Sequence, residues 1–263
     1  MNNKLRGTTS AQAKQQLVNN FYRKNPYPWG KEPSLCAVWL LDRLSPSSLV
    51  LDYGGGGGRC SYAFARAGHN VVCVDVSHTG LKAAQTLLFD GRNRGIVTAN
   101  VDFVCGDFDA LREDGKKFDA INVHRVLQAL KPNPRKEFIR TAANLLKPGG
   151  YLSLSITSTY EFDPEIMILI DKKGKPLEFA DSASLKAYLI NGNEKFARFK
   201  DAPRNGLIMM QTKASIRSLL KEHFDIIDMY HTEDFPTNDP ETKMNVYVVH
   251  AFRKQDSSLR PGF

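Results

Sequence analysis

The sequence predicts an α/β protein with a doubly wound, mostly parallel seven-stranded sheet, an antiparallel last strand and one inserted segment. Two observations carry this prediction. Short β-branched runs alternate with helix-like stretches, as in parallel strands joined by helical crossovers. The runs are also continuously apolar, as expected when helices cover both faces of a sheet. The first five predicted strands are Ser48–Tyr53, Asn70–Val76, Val101–Cys105, Phe118–Val123 and Tyr151–Ile156.

Three helix-like stretches separate these strands, namely Cys60–Ala67, Leu81–Leu88 and Pro134–Leu146. Gly68 follows the first of them, where a left-handed C-terminal cap would lie. Lys147–Gly150 (KPGG) predicts the end of the last one, because proline disfavours helix in the residue before it and the glycines allow a turn.

The regular pattern returns towards the C-terminus. A helix is predicted from Thr212 to Glu222, with Thr212 as its N-cap. Two strands follow, Phe224–Tyr230 and Met244–Phe252. The polar connection of thirteen residues between them is too short for a helical crossover, so we expect an antiparallel pair.

Residues 157–211 interrupt the pattern and are predicted to be an insertion that covers the substrate side of the sheet. Insertions of this length without regular structure are often lids or binding loops, although a surface excursion is the alternative. Turns are predicted at Lys172–Pro176 and Asn191–Asn193. We therefore expect one domain, 1–263, made of an N-terminal helical arm (1–47), a core (48–156), the insertion (157–211) and a C-terminal helix with a strand hairpin (212–263).

The composition excludes several classes of protein. Of the 263 residues, 42% are hydrophobic and 24% are charged, which is the ordinary globular mixture. No apolar run approaches the about 18 residues of a membrane span, and the N-terminus lacks an apolar signal core. We therefore expect no membrane partner and a cytoplasmic location.

The four cysteines, Cys36, Cys60, Cys73 and Cys105, lie singly and form no C-x-x-C pair. Cys73 and Cys105 fall within apolar, strand-like runs. We expect buried thiols in a reducing compartment rather than a zinc site, and no metal site is predicted.

The net charge of +8 raises nucleic acid as a partner, so the distribution of the charge matters. The first 31 residues contain no acidic side chain and six basic ones, Lys4, Arg6, Lys14, Arg23, Lys24 and Lys31. They form no block of the kind expected for a dedicated nucleic-acid patch. A soluble basic surface is favoured, and RNA binding through this arm is the alternative.

The strongest motif is a run of five glycines, 54–58, between a predicted strand and a predicted helix. Such a run would ruin a helix or strand interior, so it marks a sharp, bare turn. A bare turn before a helix lets a ligand approach main-chain N–H groups. Neither the G-x-G-x-x-G dinucleotide spacing nor the G-x-x-x-x-G-K-[ST] phosphate loop is present. What fits is an acidic residue followed by every second glycine: Asp52, Gly54, Gly56 and Gly58.

With this motif, the chain resembles the class I S-adenosylmethionine-dependent methyltransferases over roughly residues 48–156 and 212–252. By that resemblance, Asp52 orients the cofactor S-adenosylmethionine and the three glycines allow its close approach. The resemblance further implies that Asp75, at the end of the second strand, binds the ribose hydroxyls. A carboxylate accepting two hydroxyl groups is also sound chemistry. Val76 would then lie against the adenine, and Asp107 with Phe108 would lie near its amino group.

Structural roles are the alternatives for these acidic residues. Asp52 could cap the turn, although a structural turn needs fewer glycines than five. Asp75 could be the N-cap of the next helix, although Ser77 is better placed. Asp107 lies in an ordinary polar turn with Asp109.

Candidates for catalysis follow the fourth strand. A sulfonium methyl is already activated, so catalysis is mostly alignment and exclusion of water. His124 could deprotonate a hydroxyl or thiol of the acceptor, or it could simply bind backbone or water at a helix start. If His124 is the base, turnover should rise with pH near the reference value of about 6.5. Arg125 could pair with an acidic group of the substrate, or lie in solvent.

Aromatic residues supply candidate walls for the acceptor site. Tyr22, Tyr27 and Trp29 stand in a proline-stiffened segment before the first strand, where related enzymes cover the cofactor. Packing of the N-terminal helix onto the sheet is the alternative role. Tyr160, in the insertion, is a further candidate. Because the insertion is charge-neutral, we expect an apolar or zwitterionic acceptor rather than a polyanion.

The predicted reaction is therefore methyl transfer from S-adenosylmethionine to an O, S or N atom of a small molecule. An RNA methyltransferase is one alternative, and a catalytically idle cofactor-binding protein is another. The sequence leaves the oligomeric state open.

Overall fold

The computed structural model describes residues 10–111, 115–130, 132–162, 164, 167–190, 195–199, 207–234 and 244–255. Its strands, in chain order, are β1 (Leu49–Tyr53), β2 (Asn70–Asp75), β3 (Val101–Cys105), β4 (Phe118–His124), β5 (Leu146–Thr157), β6 (Met167–Ile170), β7 (Lys195–Phe199), β8 (Leu207–Met210), β9 (Phe224–Asp234) and β10 (Met244–Arg253).

The helices in the same part of the chain are α1 (Ser10–Lys24), α2 (Leu35–Leu41), α3 (Arg59–Arg66), α4 (His78–Asn93), α5 (Pro132–Leu145), α6 (Ser182–Ile190) and α7 (Lys213–Leu220). Single 3-10 turns occur at Phe108–Leu111, Leu127–Ala129 and Thr159–Glu161. None of the helices within these ranges is long and apolar enough to span a membrane.

Seven of the strands form one sheet in the order β3-β2-β1-β4-β5-β10-β9, which confirms the predicted fold class. Strands β1 to β5 pair in parallel, whereas β10 is antiparallel to both β5 and β9. The chain runs outward from β1 through β2 to β3 and returns to β4 beside β1. Ligands of open α/β sheets bind outside the carboxyl ends of the strands at such a reversal, so we expect a ligand site at the carboxyl ends of β1 and β4.

Helices bury both faces of this sheet. Leu51 of β1 belongs to an apolar cluster with Phe138 of α5 and Ile216 of α7. Its neighbour Val50 belongs to a second cluster with Phe64 of α3. Because successive strand residues point to opposite faces, the continuous apolar run in β1 reflects burial on both sides.

The predicted helix caps are confirmed. Gly68, just after α3, has a φ of +88°, in the left-handed region that glycine adopts freely. The Thr212 side chain accepts from the backbone N–H of Ser215 at the start of α7. Ser77 caps α4 by accepting from the Gly80 N–H at 3.0 Å. Local turn chemistry decides each of these helix ends.

The expectation for Lys147–Gly150 is wrong in one respect. Helix α5 ends at Leu145, but residues 147–150 already belong to β5. Leu146 lies opposite Phe118 and Tyr151 lies opposite Ala120, so the four residues between them face only Asp119 of β4. They form a bulge that the salt bridge from Lys147 to Asp119 holds at 2.7 Å.

The expectation for the cysteines is confirmed for Cys73 and wrong for Cys105. All four cysteines are free thiols, and Cys36, Cys60 and Cys73 are buried whereas Cys105 is exposed. Strand β3 is an edge strand, and neither of its faces is fully covered. An apolar run on an edge strand therefore does not guarantee burial.

Residues 157–211 contain regular structure, contrary to expectation. Strands β6, β7 and β8 form a separate antiparallel sheet. Met167, Leu169, Ala197 and Met210 form its apolar cluster, against which α6 packs through Leu185 and Tyr188. The apolar residues of this segment thus pack against one another in a small core of their own. Ile166, the Asn191–Asn193 turn, Lys4, Arg6 and most of the connection between β9 and β10 lie outside the described residues.

Candidate functional site

A cavity of about 380 Å³ opens at the carboxyl ends of β1, β2 and β4. Helix α1 and the loop after it form one side. The lining residues come from this arm, the glycine turn, the ends of β2 and β3, and the segment after β4. They are Val18, Tyr22, Tyr27, Pro28, Trp29, Gly30, Asp52, Tyr53, Gly54, Gly55, Gly57, Arg59, Cys60, Asp75, Val76, Gly106, Asp107, His124, Arg125, Val126, Gln128 and Leu130.

The glycines of the turn face different neighbours. Gly54 lines the cavity, whereas Gly56 and Gly58 do not. A side chain on Gly56, whose φ is +51°, would collide with the Tyr22 hydroxyl. A side chain on Gly58 would collide with Ala84 of α4. The bare backbone at these two positions therefore admits the arm and a helix, in addition to any ligand.

Asp52 lies in a buried polar network beneath the turn. Its carboxylate accepts from the Ser61 hydroxyl at 2.6 Å and from the Asn122 amide at 2.8 Å. Burial raises the pKa of Asp52, and these two hydrogen bonds oppose the rise. Asn122 pairs in register with Asp52 across β1 and β4. Sequence reasoning missed Asn122, although a polar residue within an apolar strand was the available signal.

Asp75 ends β2 with its carboxylate at the cavity wall. One oxygen accepts from the Gly56 N–H at 3.0 Å and the other accepts from the Ser77 N–H at 2.7 Å. Burial raises its pKa despite these backbone donors. Each carboxylate oxygen can accept more than one hydrogen bond, so both keep capacity for a ligand donor. Ser77, rather than Asp75, is the helix cap, as expected.

Val76 and Asp107 also line the cavity. The Val76 carbonyl accepts from the Gln15 side chain of α1 at 2.9 Å, which ties the arm to the end of β2. Asp107 accepts from the Asp109 N–H at 3.0 Å and so has the turn role that was its alternative, while it still borders the cavity.

Two predicted site residues lie away from the cavity. Phe108 is buried in the core, with its ring centroid 4.3 Å from that of Tyr53 and 4.6 Å from that of Phe138. Tyr160 is exposed, and its ring centroid lies 4.5 Å from that of His231. Indeed, none of the described residues that line the cavity comes from 157–211. The structure therefore does not bring Phe108 and Tyr160 together with the other candidates.

His124 is held at both ring nitrogens. Its Nε2 lies 2.8 Å from Arg59 Nη2, and its Nδ1 lies 2.9 Å from Ser155 Oγ. A guanidinium can only donate, so Nε2 must be the acceptor and Nδ1 must carry the proton. Burial, together with the charges of Arg59 and Arg125, lowers the pKa of His124 well below its ordinary value. This geometry argues against a general base, because the lone pair is already engaged.

Arg59 is a second residue that sequence reasoning missed. It directly follows the glycine run and is almost fully buried. Besides His124, it donates to the carbonyls of Trp29 at 2.9 Å and Glu32 at 3.3 Å. One side chain thus joins the glycine turn, the end of β4 and the loop of the arm.

Arg125 has a left-handed backbone conformation, with a φ of +57°. Few residues other than glycine adopt it, and those that do are often found at functional sites. Its N–H donates to the Ser155 carbonyl at 3.2 Å. Its guanidinium carbon lies 5.3 Å from the centroid of the Trp29 ring. Arg125 therefore lies against the cavity wall rather than in solvent.

Tyr22, Tyr27 and Trp29 line the cavity. Tyr22 also packs against Gly56 and Gly80, so the expected packing role of the arm is present at this residue. Burial, reinforced by the Asp75 carboxylate, raises the pKa of Tyr22. The Tyr27 hydroxyl donates to the Ala83 carbonyl at 3.1 Å.

Comparison with known proteins adds independent information about this region. Residues 50–150 match a protein family described as "Methyltransferase domain". A ubiquinone biosynthesis O-methyltransferase of Coxiella burnetii is 34% identical over 106 residues, which are 40% of this chain and 42% of the relative. The chain thus matches less than half the length of this curated relative.

Two solved structures share the fold over most of the chain. The 1,6-didemethyltoxoflavin-N1-methyltransferase of Burkholderia thailandensis, solved with its substrate and S-adenosylhomocysteine, has a TM-score of 0.61 at 18% identity and covers 96% of this chain and 93% of its own. The magnesium protoporphyrin IX methyltransferase of Synechocystis, solved with S-adenosylmethionine, has a TM-score of 0.52 at 18% identity. The match covers 94% of this chain and 86% of the Synechocystis chain. At such identities the likeness concerns the fold.

Proposed function

We propose that the protein transfers a methyl group from S-adenosylmethionine to an O, S or N atom of a small molecule, on the premise that residues 50–150 match the methyltransferase domain family. The observation that carries the proposal is the cavity at the reversal of strand order. It joins a bare glycine turn to three carboxylates at or just after the ends of β1, β2 and β3: Asp52, Asp75 and Asp107.

The carboxylates suit the hydroxyl and cationic groups of S-adenosylmethionine. Asp75 is the residue that would accept from the ribose hydroxyls, because it lines the cavity and backbone donors fix both of its oxygens, each of which can accept a further hydrogen bond. Val76 and Asp107 would border the adenine. Asp52 would orient the methionine part, since Ser61 and Asn122 hold its carboxylate rigidly. The group bound there supplies an activated methyl on a positively charged sulfur.

The protein's part in the reaction is alignment and exclusion of water. Tyr22, Tyr27 and Trp29 close one side of the cavity with aromatic surface. His124 stays neutral, with its proton on Nδ1. Because hydrogen bonds hold both of its ring nitrogens, it forms a rigid part of the cavity wall. His124 is therefore not available as the base for an acceptor that ionises.

A small molecule is the acceptor that these observations favour. The cavity, of about 380 Å³, exposes more apolar than polar surface, and Val126 and Leu130 are among its lining residues. The names of the relatives given above refer to ubiquinone biosynthesis, 1,6-didemethyltoxoflavin and magnesium protoporphyrin IX, all of them small molecules. No observation on the described residues favours RNA. Buried free thiols support a cytoplasmic location.

Calorimetry with S-adenosylhomocysteine tests the cofactor assignment. Asp75→Asn keeps the shape of the side chain but removes its charge and one acceptor. We expect its affinity to fall by about 1–3 kcal/mol, that is about 5- to 150-fold. Asp102→Asn is the matched control, because Asp102 is an exposed residue of β3 outside the cavity. Equal affinities of the two variants would remove Asp75 from the site.

A further inference from the structure

A glutamine on a short turn after β4 lines the cavity. The segment Leu127–Ala129 is a single 3-10 turn, and Gln128 stands at its centre. Gln128 Oε1 is buried and has no hydrogen-bond partner among the described residues. A buried acceptor without a donor costs free energy, which a ligand recovers when it donates an N–H or O–H to that oxygen. The amide oxygen is therefore a ready acceptor in the cavity wall.

A buried arginine holds this turn in place. Arg135 of α5 is almost fully buried, and its guanidinium donates to the Leu127 carbonyl at 3.1 Å and to the Leu130 carbonyl at 2.8 Å. The Leu130 N–H also donates to the Leu127 carbonyl at 3.1 Å. The backbone on both sides of Gln128 is thus fixed before a ligand arrives, which reduces the entropy that binding to its side chain costs.

The position of Gln128 in the sheet order separates it from the three carboxylates of the cavity. Asp52, Asp75 and Asp107 lie at or just after the ends of β1, β2 and β3. Gln128 instead follows β4, on the other side of β1. The lining residues two positions before and after it are aliphatic. Because the carboxylates already suit the hydroxyl and cationic groups of S-adenosylmethionine, the Gln128 oxygen is left for the methyl acceptor.

We propose that Gln128 selects the methyl acceptor, by accepting a hydrogen bond from an N–H or O–H group of a mainly apolar ring compound. The inference rests on the proposed function and names the acceptor class for that same site. Tyr27 and Trp29 line the same cavity, and aromatic walls favour ring compounds. A buried acceptor discriminates against an analogue that lacks the donor, because its oxygen then stays unpaired in the complex.

The test compares indole with benzofuran, two ring compounds of nearly equal size and shape, of which only indole has an N–H donor. Binding is measured by ligand-observed NMR on the full chain saturated with S-adenosylhomocysteine. We expect the wild-type protein to bind indole at least about fivefold more tightly than benzofuran. Gln128→Met, which keeps the length of the side chain but has no amide, should bring the two affinities to within about twofold.

Gln128→Glu is the rescue variant, because its carboxyl group keeps an acceptor oxygen at the same place. It should retain the preference for indole, whereas a role of Gln128 in packing alone would make the two variants behave alike. Gln85→Met is the matched control, since Gln85 is exposed on α4 and lies outside the cavity. It should keep the wild-type preference, and thermal melting confirms that each variant is folded.

Equal or undetectable binding of both ring compounds to the wild-type protein overturns the inference, and this comparison needs no variant. It is also overturned if the Met and Glu variants lose the preference alike. A third contrary result is a Gln128→Met variant that binds S-adenosylhomocysteine tenfold more weakly and keeps the preference for indole, because Gln128 would then serve the cofactor. Failure of S-adenosylhomocysteine to bind the wild-type protein instead contradicts the proposed function, and the two ring compounds can still be compared without it.

Discussion

His124 shows how contacts decide the chemistry of a single residue. The imidazole lies at the cavity wall, where a base could act on an acceptor. However, its Nε2 accepts a hydrogen bond from Arg59, and its Nδ1–H donates one to the Ser155 hydroxyl. With its pKa well below the ordinary value, the ring stays neutral at physiological pH. The rise in turnover near pH 6.5 that a base role implied is therefore not expected from this residue.

Nitrogen NMR of the histidine rings checks this prediction without an acceptor. We expect the His124 signals to report the Nδ1–H tautomer and to stay constant from pH 8 down to about 5.5. His124→Gln assigns the signals by their loss. A titration with a midpoint near the reference value of about 6.5 would restore His124 as a candidate base.

Gly56 allows a second test of one residue, since the Tyr22 hydroxyl occupies the space that a side chain would take. Gly56→Ala should displace Tyr22 and the arm, and should weaken S-adenosylhomocysteine roughly tenfold or more, about 1.4 kcal/mol. Gly95→Ala is the control, because Gly95 has a φ of +68° but nothing within 4 Å of the added carbon.

Both glycine variants carry the backbone strain of about 1–2 kcal/mol, which urea unfolding measures. Only Gly56→Ala should also lose cofactor affinity. If both variants bind S-adenosylhomocysteine equally well, the contact between Tyr22 and Gly56 does not shape the site.

At the scale of elements, a buried histidine links α2 to the antiparallel end of the sheet. His250 of β10 is fully buried, and its Nδ1 lies 2.9 Å from the Ser153 Oγ of β5. Its ring stacks on that of Trp39, with 4.2 Å between the ring centroids. Burial lowers its pKa to about 4. The unfolded chain, with a value of about 6.5, therefore binds a proton first as the pH falls.

It follows that the contribution of His250 to stability is complete above about pH 6.5 and is lost as the pH falls from there towards 4. Between pH 7 and pH 5, the wild-type protein should lose about 2 kcal/mol more unfolding free energy than His250→Gln, which cannot titrate. Urea unfolding at the two pH values measures this. His78→Gln, at an exposed helix start, should behave like the wild type. Parallel losses in wild type and His250→Gln would contradict the prediction.

At the scale of the whole molecule, the insertion returns to its point of departure. The Gln211 N–H donates to the Thr157 carbonyl at 2.8 Å, and the Thr159 N–H donates to the Gln211 carbonyl at 3.1 Å. Between these ends, β8 packs on the turn Leu127–Ala129, which carries Gln128 of the cavity wall. The insertion therefore packs against the turn that carries Gln128.

Excision of residues 160–210, with a two-glycine linker from Thr159 to Gln211, tests this arrangement. We expect S-adenosylhomocysteine to bind within about threefold of wild type, because the carboxylates and the glycine turn are untouched. Transfer to an acceptor identified by screening metabolite pools should be lost, because the wall that carries Gln128 loses its support. If the shortened protein transfers the methyl group at the original rate, acceptor choice belongs to the N-terminal arm.

The sequence by itself determined the features that depend on a few neighbouring residues. The alternation of short apolar runs with helix-like stretches placed the seven strands of the large sheet, and turn chemistry placed Gly68, Ser77 and Thr212 at helix ends. The glycine run and the acidic residues at strand ends predicted the edge of the sheet at which the cavity lies. The preferences of the backbone for strand, helix and cap conformations depend on neighbouring residues, and they can therefore be predicted from short stretches of sequence.

Only the tertiary structure decided which distant groups meet. Arg59 and His124 are 65 residues apart, and Asn122 and Asp52 are 70 apart, so no local pattern could pair them. Burial followed position in the sheet, which exposed Cys105 on the edge strand although its run is apolar. The protonation and role of a buried side chain depend on its desolvation and on its partners, and both are set only when the chain has packed.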